Sequence, residues 1–482
     1  MNAPVSIPDF SAAVDRAELA RVFALQQQRA LALRSSTLAA RRAKLQKLLD
    51  AVLANQAAII EAGRADLGRP EVETVLMEVS TVVGEARHTL KHLKRWMKPR
   101  KVGTPLTLFG SSGEVRVEPK GVTLIVAPWN VPVNGLLAPL VSALAAGNTA
   151  MLKPSEMAPQ TSVLLTKLVR ETFAEDEVAV FEGDAAMSQA LLELPFNHIF
   201  FTGSPGVGRI VMTAAAKHLT SVTLELGGKS PAVIDAGADL KKTAQSLAHG
   251  KCINSGQACI APDYLLVDER IHDALLAELR SVLDARYGAT AEARRQTPDY
   301  GRMVNARNWQ RVRGLLDDAV ERGATVAYGG ASDEDTRYIE PTLLTGVPAG
   351  ARILDEEIFG PLLPILKYRD LGEAITHINA APKPLALYVY ARDRAMVERV
   401  LRETSSGDAG VNLSMVHFSD NELPFGGVNN SGFGKAHGEW GFKAFSHERS
   451  VLKDHFASTQ LVAPPYTPGV KRLVEAMLRW FV

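Results

Sequence analysis

The sequence predicts an α/β protein with two doubly wound parallel-sheet domains and a small β subdomain for oligomerisation. From Gly121 onward, short and almost wholly apolar runs such as VTLIVAPW alternate with helix-like segments as far as about residue 228. A second alternating series of similar size follows Cys259 and includes DYLLVDE and LPILKYRD. Apolar strands that alternate with amphipathic helices form right-handed βαβ units around a sheet that is covered on both faces.

The same patterns divide the chain into parts. Residues 11–63 are rich in alanine, leucine, glutamine and arginine with helical periodicity, which predicts a helical lead-in. The expected limits are 1–102 and 121–227 for the first domain, 228–420 for the second, and 103–120 with 421–482 for an oligomerisation hairpin and a C-terminal arm.

Three segments outside the alternating series have their own signals. Two period-two runs, LTLF and EVRVE, flank residues 110–113 and predict a hairpin, which suits either a subunit contact or a plain surface ribbon. The glycine-rich segment 426–442 predicts a loop that its surroundings hold in place. The final stretch, PYTPGVKRLVEAMLRWFV, is amphipathic. Packing on its own or a neighbouring subunit is the favoured interpretation, and contact with a membrane surface is the weaker one.

Composition and charge argue against several classes of protein. The 54 Lys and Arg residues against 53 Asp and Glu give a net charge of +1, so no overall field attracts nucleic acid or anionic lipid. No apolar run approaches the roughly 18 residues of a membrane span. The first twenty residues include three acidic ones and lack the pattern of a secretory signal. We therefore expect a cytoplasmic protein.

Both cysteines lie in the stretch KCINSGQACIAP, residues 251–262. Two cysteines in 482 residues cannot form a disulfide framework, and the nearest histidines, His249 and His272, complete no metal-ligand pattern, so no metal site is assigned. Small residues surround Cys259, and a turn or helix start there would lower the thiol pKa below its free value of about 8.5. Cys252 lies in a helix-like run without that setting. On these residues alone, Cys259 is equally compatible with a reactive thiol and a buried, inert one.

Polar and glycine residues follow several predicted strands, where parallel sheets bind ligands. Asn130 offers an amide donor to an oxyanion, and Glu225 offers a carboxylate for general-base work. Each has a plainer interpretation, Asn130 as a turn former and Glu225 as a carboxylate neutralised by Lys229. The loop FTGSPGVGR is a candidate pyrophosphate cradle, although its G-x-x-G-x-G spacing differs from the G-x-G-x-x-G fingerprint.

Taken together, seven segments resemble the motifs of the aldehyde dehydrogenase superfamily in order and approximate spacing. They are VAPWN (126–130), LKPSE (152–156), FTGSPGVG (201–208), LELGGKSP (224–231), GQAC (256–259), EEIFGPLLP (356–364) and LPFGGVNNSGFG (423–434). The segments AAKHLTSVTLELGGKSP and HGEWGFKAFSH are similar to the class 3 branch and its bacterial coniferyl aldehyde dehydrogenase relatives. The resemblance implies a variant Rossmann NAD(P)-binding domain, a catalytic domain and a homodimer.

The resemblance also implies a role for each matching residue. Cys259 would be the nucleophile, Glu225 the base that activates the deacylating water, and Asn130 the oxyanion donor together with the backbone N–H of Cys259. Cys252 would only pack. The implied cofactor-binding residues are Trp129, Lys153, Glu156, Gly203, Ser204, Gly208, Leu226, Glu357 and Phe359.

The implied reaction is oxidation of an aldehyde to its acid through a thiohemiacetal and a thioester on Cys259. Glu156 should repel a 2′-phosphate and favour NAD, with NADP use also compatible. There are three alternatives. The chain could be an acylating enzyme that uses coenzyme A or phosphate, a cofactor-independent cysteine hydrolase with His249, or a non-catalytic binding protein. Residues 415–418 (MVHF) would border an apolar funnel with one titratable group, which suits aromatic or medium-chain aldehydes, coniferyl aldehyde among them. Asn134 occupies a position where relatives usually have an apolar residue, so the resemblance does not fix the substrate specificity.

Overall fold

The computed structural model describes residues 10, 11 and 13–480. The outer limits of the predicted domains, residues 1 and 482, lie outside this part of the chain. The helices, numbered in chain order, are α1 (Arg16–Leu33), α2 (Leu38–Ala54), α3 (Gln56–Leu67), α4 (Glu71–Thr74), α5 (Ser80–Trp96), α6 (Pro132–Ala146), α7 (Pro159–Thr172), α8 (Ala185–Leu192), α9 (Pro205–Ala216), α10 (Leu240–Cys252), α11 (His272–Tyr287), α12 (Ala291–Gln296), α13 (Ala306–Glu321), α14 (Arg352–Asp355), α15 (Leu371–Ala380), α16 (Arg394–Glu403), α17 (Gly438–Ala444) and α18 (Pro468–Trp480).

The strands form three main sheets and one short two-stranded ribbon. They are β1 (Arg100–Val102), β2 (Ser111–Pro119), β3 (Val122–Val126), β4 (Thr149–Lys153), β5 (Val178–Val180), β6 (His198–Gly203), β7 (Ser221–Leu226), β8 (Pro231–Ile234), β9 (Tyr264–Asp268), β10 (Thr325–Tyr328), β11 (Ser332–Asp333), β12 (Tyr338–Ile339), β13 (Thr342–Thr345), β14 (Leu362–Tyr368), β15 (Ala386–Tyr390), β16 (Asp408–Val411), β17 (Gly432–Phe433) and β18 (Ser446–Asp454). The predicted helical lead-in is confirmed by α1, α2 and α3.

The first sheet has the order β17-β7-β6-β3-β4-β5, with the five strands β3 to β7 parallel. Every residue of β3 and β4 is buried, as expected for strands covered on both faces. Residues of α1 pack on one face, and residues of α2, α5 and α6 pack on the other. The chain moves outward from β3 to β5 and then returns to β6 beside β3, so the strand order reverses there. Ligands bind at the carboxyl ends of strands at such a switch point.

The second sheet confirms the second predicted series. Its order is β10-β13-β14-β9-β8-β15-β16, with β10 antiparallel at one edge and the other neighbouring strands parallel. Its strands lie between residues 231 and 411. The domain limits proposed from the sequence stay a prediction.

The predicted hairpin is wrong in its first arm. Leu106–Leu108 form a 3-10 turn, and β2 pairs instead with β1 on one side and with β18 on the other. β18 pairs with β2 along its whole length, and β1 pairs with residues 113–115 on the other edge, so strands other than LTLF are the neighbours of β2.

The loop predicted over 426–442 is also partly wrong. Residues 432–433 form β17, which pairs antiparallel with β7, and Gly438–Ala444 form α17. The C-terminal part of the chain therefore contributes a strand to the first sheet, beside Glu225.

Candidate active site

Asn130 lies just beyond β3 and is buried. Its Nδ2 donates to the Gln257 carbonyl at 3.0 Å. Its own carbonyl accepts from the Arg69 guanidinium and, at 3.1 Å, from Asn254 Nδ2. An amide nitrogen carries two N–H donors, so one remains for a substrate oxygen. These bonds join the end of β3 to the segment that carries Cys259.

A sharp reversal of the chain precedes Cys259. Asn254, Ser255 and Gly256 have positive φ angles of 52°, 53° and 74°. A Cβ on Gly256 would collide with the Gly360 carbonyl, so both the conformation and the close approach require glycine there. Cys259 follows this reversal in a turn after α10.

Gln257 fixes this turn from inside the protein. Its side-chain amide donates to the carbonyls of Asn254 and Arg302, each at 2.9 Å, and its side-chain oxygen accepts from the Val304 N–H at 2.9 Å. The residue is completely buried with each of these polar atoms bonded. A fully satisfied buried network of this kind holds one geometry. The backbone two residues before Cys259 is therefore rigidly placed.

Both cysteines are free thiols. Cys252 packs in the apolar core of the second sheet, as predicted. For Cys259, burial raises the thiol pKa to about 12, with the charges of Glu357 and Glu225 adding to the effect. The prediction that the turn lowers this pKa is wrong, because burial outweighs the backbone N–H that favours the thiolate. The thiol therefore has to lose its proton to a nearby base when it reacts.

Glu225, near the end of β7, is a buried carboxylate. Within the described part of the chain, neither of its side-chain oxygens has a hydrogen-bond partner. Burial raises its pKa well above the usual range, Asp408 adds to this, and Lys435 opposes it. Lys229 does not neutralise Glu225, because it pairs with Asp263. An unbonded buried carboxylate with a raised pKa can take a proton from a thiol or a water.

Residues at the carboxyl ends of β4 and β6 suit the ribose and phosphates of a dinucleotide. Lys153 Nζ lies 2.5 Å from Glu156 Oε2, with the lysine buried and the glutamate partly exposed. Ser204 caps α9, and its hydroxyl accepts from the Val207 N–H at 3.4 Å. The N-terminus of a helix favours a phosphate group, and a carboxylate suits ribose hydroxyls.

The glycines of FTGSPGVGR bring α9 close to the sheet. A Cβ on Gly208 would lie 2.7 Å from Leu226 Cδ2, and one on Gly203 would lie 2.5 Å from the Phe201 ring. Gly208 therefore lets α9 pack closely on β7, and Gly203 leaves room for the Phe201 ring on its own strand.

Glu357, Phe359 and Trp129 form a second part of the same cleft. A Cβ on Gly227 would collide with the Glu357 carboxylate, which the Gly228 N–H also contacts. Burial raises the pKa of Glu357 to about 8. The rings of Trp129 and Phe359 meet edge to face with centroids 5.2 Å apart. A carboxylate beside an aromatic pair fits the ribose and ring of a nicotinamide nucleotide.

Sequence reasoning missed the residues that support the candidate catalytic side chains. Arg69 is completely buried and donates to Glu78 at 2.7 Å and to Asn254 at 2.9 Å, besides the Asn130 carbonyl. Glu78 in turn accepts from the backbone N–H of Asn134 at 2.7 Å. The tripeptide N-S-G at 254–256 was an available turn signal. Nothing local marks Arg69, which is 185 positions from Asn254.

We expect Arg69→Met to lower both stability and turnover. The change leaves Glu78 buried without its cation, which costs about 3–5 kcal/mol of unfolding free energy. It also removes one of the three hydrogen bonds that hold Asn130. Displacement of this candidate oxyanion donor should lower kcat about 10–100-fold. Denaturant unfolding and steady-state kinetics measure the two effects. Arg64→Met, on an exposed arginine nearby, is the control and should change neither. Wild-type kcat in Arg69→Met would contradict a positioning role.

The fold and the site define an NAD(P)-dependent oxidoreductase. The sequence matches the model of the "Aldehyde dehydrogenase family" over residues 9–451, and the chain belongs to that family. It has the aldehyde dehydrogenase fold with two Rossmann-like domains, and it is an NAD(P)-dependent aldehyde dehydrogenase.

Individual relatives agree with this assignment. "Aldehyde dehydrogenase family 3 member H1" of Arabidopsis thaliana is 42% identical, with 90% of each chain covered. "Probable coniferyl aldehyde dehydrogenase" of Caulobacter vibrioides is 40% identical over 99% of this chain and 100% of that protein. The substrate-bound structure of Staphylococcus aureus AldH superposes with a TM-score of 0.91 at 39% identity, covering 95% of this chain and 99% of that one. The predicted class 3 resemblance is thereby confirmed.

Among residues 10, 11 and 13–480, we find no helix that is both long and apolar enough to cross a membrane.

Proposed function

We propose that Cys259, Asn130 and Glu225 carry out the oxidation, and that water resolves the thioester. The observation that supports this most strongly is the buried carboxylate of Glu225 without a hydrogen-bond partner in the described chain, electrostatically coupled to the Cys259 thiol. A thioester passed to the thiol of coenzyme A has less need of such a base.

In the first half-reaction, the Cys259 sulfur bonds to the aldehyde carbon while the thiol proton leaves to a base in the site. The carbonyl oxygen becomes an oxyanion, which the free N–H of Asn130 and the backbone N–H of Cys259 stabilise. NAD(P), when bound, accepts the hydride that the aldehyde carbon loses.

In the second half-reaction, Glu225 takes a proton from a water molecule as that water attacks the thioester carbon. The carbon–sulfur bond then breaks, the acid leaves, and the sulfur regains a proton. Glu225 must be ionised for this step, and its raised pKa makes it a stronger base than an ordinary carboxylate.

The cofactor would be held by Trp129 and Phe359 on one side and by Lys153 and Glu156 on the other, with Glu357 at the second ribose. Glu156 disfavours a 2′-phosphate, whereas the neighbouring Lys153 ammonium attracts one. NAD is therefore the preferred cofactor in this proposal, with NADP accepted at lower efficiency.

We propose aromatic aldehydes with a hydrogen-bonding substituent, such as coniferyl aldehyde, as substrates. The residues that line a cavity between α5, α6 and the 418–421 segment are Ser80, Thr81, Gly84, Glu85, Asn134, Ala138, Phe418, Ser419, Asn421 and His437. The lining is more polar than the apolar funnel expected from residues 415–418, of which Phe418 alone takes part. Burial lowers the pKa of His437 to about 4, so this ring is a neutral hydrogen-bonding group. The name of the Caulobacter relative agrees with such a substrate.

The test is turnover with NAD alone. Purified protein, given coniferyl aldehyde and NAD without coenzyme A or phosphate, should reduce NAD and release one acid per NADH. Hexanal and a long-chain aldehyde should react with lower kcat/KM. A strict requirement for coenzyme A or phosphate would refute hydrolysis, whereas a preference for hexanal would refute only the substrate assignment.

We also propose a cytoplasmic homodimer. The sheet β1-β2-β18 has long exposed stretches, and α18 exposes Leu473, Val474 and Leu478 at the end of the chain. Apolar groups grouped in this way suit burial against a second subunit. Light scattering that gives the mass of a single chain, 52.0 kDa, would contradict the dimer.

A further inference from the structure

A cluster of ionisable side chains lies outside the proposed catalytic and cofactor residues. His88 and His92 are one turn apart on α5, and Glu422 reaches them from the segment before β17. Glu422 Oε1 lies 3.8 Å from His88 Nε2 and 3.9 Å from His92 Nδ1. One ligand atom from each residue lies within 4.8 Å of the other two.

The two imidazole rings lie side by side, and each has a ring nitrogen within 4 Å of Glu422 Oε1. Their rings stack with centroids 4.4 Å apart and planes 20° apart. His88 Nε2 is buried and, within the described residues, has no hydrogen-bond partner. An unbonded imidazole nitrogen is available to bind a metal ion.

We propose that His88, His92 and Glu422 form a binding site for a divalent transition metal, with Zn²⁺ as the ion that fits best. Two histidines four residues apart on one helix face, with a carboxylate from elsewhere, are a common zinc ligand set that leaves a fourth position for water. With metal–ligand bonds of about 2.0–2.2 Å, tetrahedral ligand atoms lie about 3.3–3.6 Å apart. The observed separations are slightly larger, and Glu422 is 63% exposed and so can move inward.

The position of this site predicts an effect on substrate entry. On the same helix, Glu85 accepts from the Gly438 N–H at 2.9 Å, beside His437. Glu85, Asn421 and His437 line the cavity proposed for the substrate. An ion held by α5 and by Glu422 would tie the helix to the segment that carries Asn421. We therefore expect Zn²⁺ to inhibit at the concentrations at which it binds.

Metal binding itself is the primary test. Co²⁺ added to the wild-type protein should give d–d absorption bands at one equivalent, without the charge-transfer band of a cobalt–thiolate bond. Added Zn²⁺ should displace the bound Co²⁺. Titration calorimetry with Zn²⁺ should give a stoichiometry of one ion per chain. His92→Ala and Glu422→Gln should each weaken binding by more than about tenfold, given that changes around a metal site typically cost 10–100-fold. His249→Ala, on an exposed histidine of α10, is the matched control and should bind like wild type.

The outcomes separate this site from the catalytic thiol. Retention of the Co²⁺ bands in Cys259→Ala supports the proposal, and their loss would overturn it. Equal affinity in wild type and His92→Ala, or no binding to wild type, would also overturn it. Neither Co²⁺ absorption nor metal affinity depends on turnover. A negative result here would therefore leave the proposed catalytic residues untouched.

Discussion

Cys259→Ala should abolish aldehyde oxidation and ester hydrolysis together. Both reactions need a covalent bond to this sulfur, so we expect a loss of more than about 10⁴-fold in kcat, the size seen when a nucleophile is removed. NADH formation with an aldehyde and release of a chromogenic phenol from an ester measure the two activities.

The other cysteine provides the matched control. Cys252 is buried in the apolar core of the second sheet, so Cys252→Ala should retain both activities at some cost in stability. Substantial residual activity of either kind in Cys259→Ala, in a protein with wild-type unfolding behaviour, would refute the nucleophile assignment.

Glu225→Gln should slow breakdown of the thioester far more than its formation. Loss of a general base costs about 10²–10⁴-fold in the step it serves. Rapid-mixing experiments should therefore show a burst of NADH close to one per active site, followed by slow turnover. A normal steady-state rate with normal release of acid would contradict the assigned role.

The pH dependence gives a second measurement on Glu225. Its pKa is raised in the folded protein, so the ionised base becomes more abundant as pH rises through that value, and wild-type kcat should rise with it. Glu225→Gln should lack this rise.

The stability of the folded protein should depend on pH in the opposite direction. A raised carboxyl pKa means that the folded state holds the Glu225 proton more tightly than the unfolded state does. Stability is therefore lost as pH rises above the unfolded value of about 4.3. At pH 8 the Gln variant should unfold at the same or a higher temperature than wild type.

Much of the fold follows from sequence patterns, because strands buried on both faces give long apolar runs. The alternation after Gly121 predicted both parallel sheets, and strand ends such as Asn130 and Gly203 lie where the pattern predicts. The prediction of LTLF as a strand was wrong because a period-two pattern does not indicate which segment pairs with β2. That place is taken by β18, more than 300 positions along the chain.

The sequence suggested candidate site residues but could not predict their pKa values. The seven motifs named Cys259 and Glu225, but the pKa of each depends on how deeply it is buried. The partner of Lys229 is Asp263, 34 positions away, which local sequence does not indicate. In the same way, the support of Asn130 by Arg69 spans 61 positions. Contacts between residues so far apart in the sequence form only in the folded protein, so local sequence patterns do not predict them.

The pairing of β17 with β7 bears on how a newly made chain matures. Glu225 has Gly432 as its partner across this pairing, and Gly426 packs against its carboxylate. A ribosome must therefore have added residues 426–432, about 200 positions after Glu225, before the carboxylate is shielded from bulk water. Until that moment the nascent protein would hold an ordinary acidic side chain at an open edge of the first sheet.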